Sequence, residues 1–204
     1  MTPDAADCRR SGPSSHQPHT APKVLDALGL GPGSVFVDLG CGPGDYALDA
    51  AGRVGPKGAV LALDTWSRVL TELRAEAVRR GLASLLPMRV DITLSLPVAT
   101  HRIDACLLAM VLHMPGRVAQ LGLMLDEARR VLRPGGRLGV LEHAGYDQLP
   151  ETHPARRLTP EWLTALAESH GFVRCELLEL DRMWLAVFAS QPAPGYFRGA
   201  RVRS

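Results

Sequence analysis

Three glycines within five residues, Gly40-Cys41-Gly42-Pro43-Gly44, follow an apolar run that ends in the acid Asp38. Such a loop does its chemistry with main chain. Without a Cβ, glycine turns sharply, takes positive φ and lets a ligand come to contact distance with the backbone. Val35–Leu39 reads as a doubly buried strand and Tyr46–Arg53 as a helix. The loop therefore lies at the carboxyl end of a strand, the edge at which open α/β sheets bind ligands. Standing alone, it could equally be a structural turn.

Two more acids close the next two apolar runs. Asp64 follows Ala59–Leu63, where a carboxylate can accept from both hydroxyls of a ribose or cap the helix opening near Trp66. Asp91 follows Leu86–Val90 and precedes Ile92, an acceptor beside an apolar wall. That pair suits the amine and face of an adenine, or a plain turn. After the fourth run, Ile103–Ala109, the small Ala109 and soft Met110 offer a cofactor something to pack on, or are core. The glycines read G-x-G-x-G with Pro43 removing an amide, not the G-x-G-x-x-G that cradles a pyrophosphate, and the P-loop lysine and hydroxyl are missing. This disfavours a nicotinamide-dependent oxidoreductase.

Candidates for proton transfer sit at the same edge. His113 follows the fourth strand, and Glu142 with His143 ends the fifth, supplying a base and an orienting partner or simply polar strand ends. The segment Ala144–Leu158 is long for a connection in an α/β unit and reads as a lid from which Tyr146, His153, Arg156 and Arg157 can reach an acceptor. No metal is expected: Cys8, Cys41, Cys106 and Cys175 are far apart, with no CxxC pair.

The elements that position these residues alternate between short β-branched runs and helical stretches, the pattern of a parallel sheet wrapped by helices. A short helix is expected over Lys23–Leu30. Trp66–Arg80 is an amphipathic helix with Trp66, Val69, Leu70, Leu73 and Ala77 on its apolar face, closed by Gly81. Arg117–Leu132 is a helix stopped by the turn Arg133-Pro134-Gly135-Gly136, and Arg137–Glu142 is the fifth strand. Thr159-Pro160-Glu161 opens a helix reaching His170, with Thr at the cap and Pro at the first helical position. Phe172–Leu180 and Met183–Ala189, joined by Asp181-Arg182, pair antiparallel as the last two of seven strands.

The chain of 204 residues suits one domain, with 46% apolar and 22% charged residues and a formal charge of +2. That balance gives no basis for a nucleic-acid surface, and no run approaches the length of a membrane span. Residues 1–21 lack a secretory apolar core and read as a disordered or loosely docked arm, 22–190 as the domain and 191–204 as a flexible basic tail. A soluble, cytoplasmic protein is expected.

DLGCGPG from Asp38, LALD ending at Asp64, MRVD ending at Asp91, IDACLLAMVLHM from Ile103 and VLRPGGRLGVLEH from Val131 together resemble the class I S-adenosylmethionine-dependent methyltransferases over about Val24 to Ser190. Within that group the chain is similar to the ubiquinone/menaquinone-biosynthesis and arsenite enzymes. The resemblance implies an α/β, Rossmann-like, seven-stranded, mostly parallel sheet with helices on both faces and a C-terminal antiparallel hairpin. It implies S-adenosyl-L-methionine as cofactor and a small-molecule methyl acceptor. Asp38 would stand near the cofactor's amino group, Gly40, Gly42 and Gly44 along its methionine part, Asp64 on the ribose and Asp91 on the adenine, with Cys41, Thr65, Ile92 and Ala109 as further cofactor-binding residues. Catalytic candidates are His113, Glu142 and His143. The cysteines do not reproduce the arsenic-holding set, and the polar arm is unlike the helical N-terminal region of the quinone enzymes. A non-catalytic module that only binds the cofactor is the remaining alternative.

Overall fold

The computed structural model describes residues 19–114 and 116–191. Five parallel strands come first: β1 (Val35–Leu39), β2 (Ala59–Asp64), β3 (Leu85–Arg89), β4 (Ile103–Ala109) and β5 (Leu132–His143). The hairpin β6 (Phe172–Leu180) and β7 (Met183–Ser190) completes a seven-stranded sheet of order β3-β2-β1-β4-β5-β7-β6, with β7 antiparallel to both neighbours.

Alternation along the strands sends side chains to two cores. Phe36, Val60, Ala62, Ala105 and Leu107 face helices α1 (Ala21–Ala27), α2 (Asp45–Val54) and α3 (Ser67–Arg79). Val37, Leu39, Leu63, Cys106 and Leu108 face α4 (Arg117–Val131) and α5 (Pro160–Ser169). Strands covered on both sides must be apolar throughout, which explains the near-continuous hydrophobic runs. In α5, Thr159 caps as its sequence suggests, its hydroxyl accepting from the Trp162 amide at 3.2 Å.

The structure corrects several sequence expectations. α1 begins at Ala21, before the expected Lys23, and Thr20 and Ala21 are buried, so the expected arm is folded by its last residues. The arm as far as residue 18, and the tail from residue 192, lie outside the described residues. Trp66 does not join the apolar face of α3; it is the cap residue, 37% exposed, because the helix and its stripe begin one residue later. β3 lies one residue earlier than expected at each end. The turn Arg133–Gly136 does not precede β5 but is taken up inside it: Ile103 pairs with Leu132 and Ala105 with Arg137, so the four intervening residues bow out as a bulge. Gly136 is required there, since a Cβ would meet the Arg133 and Asp104 carbonyl oxygens at 2.9 and 3.1 Å.

Candidate active site

From β1 the chain builds outward to β2 and β3, then returns to place β4 on the other side of β1. The loops leaving β1 and β4 therefore diverge at the carboxyl edge, the crevice in which sheets of this topology bind ligands. Gly40, Gly42 and Gly44 all take positive φ, at 77°, 51° and 84°. The amides of Gly40 and Cys41 both donate to the Leu63 carbonyl, at 2.8 and 2.9 Å, which ties the loop to β2.

The three glycines differ in what surrounds them. A Cβ on Gly40 would meet Val111 Cγ2 at 2.8 Å, and one on Gly44 would sit inside the Leu73 side chain. A Cβ on Gly42 would meet nothing within 4 Å among the described residues. Gly40 and Gly44 thus let other elements pack, whereas Gly42 alone of the three faces open space. Asp64 braces that position: its Oδ2 accepts from the Gly42 amide at 2.9 Å and its Oδ1 from the Trp66 amide at 3.0 Å. The carboxylate is thereby both a cap and a loop strut, and each oxygen keeps a further lone pair for a ligand hydroxyl.

Asp38 is 2% exposed, and burial, followed by repulsion from Asp64, pushes its carboxyl up to about 7 despite the Ala47 backbone amide. Burial and the Asp38 and Asp64 carboxylates likewise push the Cys41 thiol up, keeping it neutral. Thr65 accepts through its carbonyl from Arg89 Nε at 3.2 Å. Asp91 makes the turn that was one of its two readings: its Oδ1 accepts from the amide and hydroxyl of Thr93, at 3.0 and 2.8 Å. Those bonds, with Arg117 at 3.6 Å, hold its carboxyl below the usual range. Ile92 is buried and Ala109 half-buried at the end of β4.

Across the edge, the predicted catalytic residues converge. Glu142 is 0% exposed; its Oε1 accepts from the Leu112 amide at 2.6 Å and its Oε2 from the Tyr146 phenol at 2.8 Å. His113 Nδ1 lies 3.6 Å from Oε2, and its ring stacks on Tyr146 with centroids 6.1 Å apart. The His143 ring also lies beside Tyr146, with centroids 5.9 Å apart, and its Nδ1 accepts from the Gly145 amide at 3.1 Å. Of the four lid residues singled out in the sequence, Tyr146 alone joins this group. His153 caps a short 3-10 turn, Arg156 donates to the Leu149 carbonyl and Arg157 is exposed. Val111 and Arg117 give no signal in the sequence, because each enters the site through a partner distant in the chain.

Residues 36–136 match the family described as Methyltransferase domain. The chain is 31% identical over 170 residues to an arsenite methyltransferase of Halobacterium salinarum, a match covering 78% of this chain and 42% of that protein. It is 30% identical over 111 residues to a demethylmenaquinone methyltransferase of Symbiobacterium thermophilum, covering 54% of this chain and 43% of that protein. The chain thus spans less than half the length of these curated relatives. A SAM-dependent methyltransferase structure from Aquifex aeolicus shares the fold at a TM-score of 0.71 and 21% identity, over 85% of this chain and 93% of that one. Residues 36–136 are a methyltransferase domain, and the chain has the fold of the class I S-adenosylmethionine-dependent methyltransferase superfamily.

The cofactor of this superfamily, S-adenosyl-L-methionine, fits the residues present. Open space at Gly42 accepts a ligand against bare main chain, and a Cβ would project into it. Asp38 offers a buried carboxyl to an ammonium. For a methyltransferase the missing pyrophosphate cradle is no defect, since its cofactor carries no phosphate. Among the described residues no helix is long and apolar enough to cross a membrane, and no group of His, Cys, Asp or Glu could hold a metal.

Proposed function

We propose that residues 22–190 form a cytoplasmic domain that transfers a methyl group from S-adenosyl-L-methionine to a small-molecule acceptor by direct displacement. The observation that carries this reading is the open Gly42 position, braced by Asp64 and neighboured by the buried Asp38. When bound, S-adenosyl-L-methionine would supply a methyl group activated by a positively charged sulfur that serves as the leaving group.

The protein's part is alignment and exclusion of water. In this reading Asp38 holds the amino group, while Gly40, Cys41, Gly42 and Gly44 line the methionine part. Asp64 and Thr65 take the ribose, Asp91 and Ile92 the adenine, and Ala109 packs beside them. His113, Glu142 and His143 form the catalytic group on the acceptor side. The relatives' names, with arsenite and a quinone precursor as acceptors, support a small molecule. Arsenite itself is disfavoured, since among the described residues Cys41, Cys106 and Cys175 are free thiols that belong to no common metal-holding group. The same free thiols support a reducing compartment.

Calorimetry with S-adenosylhomocysteine tests the site. The wild type binds, and Asp64→Ala and Gly42→Val each weaken binding about tenfold or more, equivalent to at least ~1.4 kcal/mol. Undiminished binding in both variants would overturn the assignment. No thermal shift is expected with NAD or NADP.

A further inference from the structure

We propose, building on the methyltransferase reading, that His113 takes the acceptor's proton at Nε2, and that Glu142 and Tyr146 are positioning residues that set its ring and tautomer. The acceptor class follows: a molecule that carries a proton on the atom to be methylated, which leaves for Nε2 as that atom's lone pair becomes the new bond to carbon.

The candidates at this edge separate by what already occupies their lone pairs. Glu142 is fully buried and both its oxygens are engaged, Oε1 by the Leu112 amide at 2.6 Å and Oε2 by the Tyr146 phenol at 2.8 Å. It cannot meet an acceptor directly. His143 spends its Nδ1 lone pair on the Gly145 amide at 3.1 Å, which leaves the ring's proton on Nε2 and no free acceptor nitrogen. His113 is the opposite case. Its Nδ1 is buried and has no hydrogen-bond partner among the described residues, yet the side chain as a whole is 38% exposed, so the exposure belongs to its other atoms.

Glu142 Oε2 lies 3.6 Å from that buried Nδ1. A small rotation closes the gap, and distances of this kind tighten when a ligand binds. With Nδ1–H turned to the carboxylate, the lone pair sits on Nε2, and the imidazolium formed by proton uptake rests against a negative charge. This is the logic by which an acid behind a histidine fixes its tautomer. Tyr146 limits the ring's freedom: its own ring stacks on His113 at an interplanar angle of 25° while its hydroxyl is tied to the same Oε2. Burial and the carboxylate push the Tyr146 phenol up, so it remains a donor.

The test is long-range 1H–15N NMR of the histidine rings in the full chain with S-adenosylhomocysteine, His113 being assigned by His113→Gln. In the wild type His113 should show the Nδ1–H tautomer and His143 the Nε2–H tautomer. Glu142→Gln turns an amide N–H toward Nδ1 and should switch His113 to Nε2–H. Tyr146→Ala should give averaged tautomers, and Tyr146→Phe, which keeps the stack, should restore Nδ1–H. A wild-type His113 already in the Nε2–H form, or one unmoved by both Glu142→Gln and Tyr146→Ala, overturns the proposal. If Glu142→Gln does not fold, the wild-type and Tyr146 spectra decide. Calorimetry on the same wild-type sample separates the two readings: absent S-adenosylhomocysteine binding sinks the methyltransferase assignment, whereas binding with the wrong tautomer sinks this one alone.

Discussion

The two sides of the carboxyl edge are built by different means. On the β1–β2 side the site is main chain: three positive-φ glycines, two amides on one Leu63 carbonyl, and a strut from Asp64. Its parts lie within one βαβ unit. On the β4–β5 side the site consists of side chains, and one buried carboxylate joins the segment after β4 to the segment after β5. A cofactor shared by many enzymes can be met by a fixed backbone shape, while an acceptor particular to one enzyme is met by replaceable side chains on longer connections.

Substitutions that separate packing from ligand contact test this division. Gly44→Val should have the largest effect, because a left-handed φ and a Cβ inside Leu73 combine strain with overpacking to cost about 4 kcal/mol, read as a lowered urea midpoint. Next is pH. Asp38 is raised from 3.8 to about 7, so the folded state holds its proton more tightly than the unfolded chain. The stability this provides is complete below about pH 4 and is lost as pH rises to about 7, a change of up to about 4 kcal/mol in ligand-free protein. Asp38→Asn should flatten that slope and leave the apo protein more stable than wild type at pH 8.

Glu142→Ala strands the Leu112 amide and the Tyr146 hydroxyl, at a cost of about 3 kcal/mol, since each buried donor left unmade costs 1–3. If its S-adenosylhomocysteine affinity fell as far as that of Asp64→Ala, the two sides would be one unit and the comparison would fail. The smallest change belongs to Trp66→Ser, within about 0.5 kcal/mol in thermal unfolding, as for other exposed positions.

The main-chain side was legible in the sequence because its determinants are local. DLGCGPG announces a strand, a turn and a helix within a dozen residues, and Asp64 falls at the end of the adjoining strand. What the glycines do individually was not legible, since Leu73 and Val111 reach Gly44 and Gly40 from other elements. His113, Glu142 and His143 could be placed at one edge by strand order alone. Their partners could not: Leu112 and Glu142 are thirty residues apart, and nothing in AGYDQLPETHPARRL marks Tyr146 above its neighbours. Trp66 and the Arg133–Gly136 turn misled for a related reason. Helical period cannot tell a cap from the first turn, and a glycine pair that reads as a stop is also how a strand accommodates a bulge.

The position of β7 carries a consequence for biosynthesis. The strand latest in sequence lies inside the sheet, between β5 and β6, which do not pair with each other. As the chain leaves the ribosome, everything through β6 can emerge while the long flank of β5 still has no partner, an open edge to which another nascent chain can add. Closing it requires Met183–Ser190 to slide in between two segments already made. A chain cut before Met183 would keep every residue assigned here to cofactor or acceptor and still expose the strand that carries Glu142.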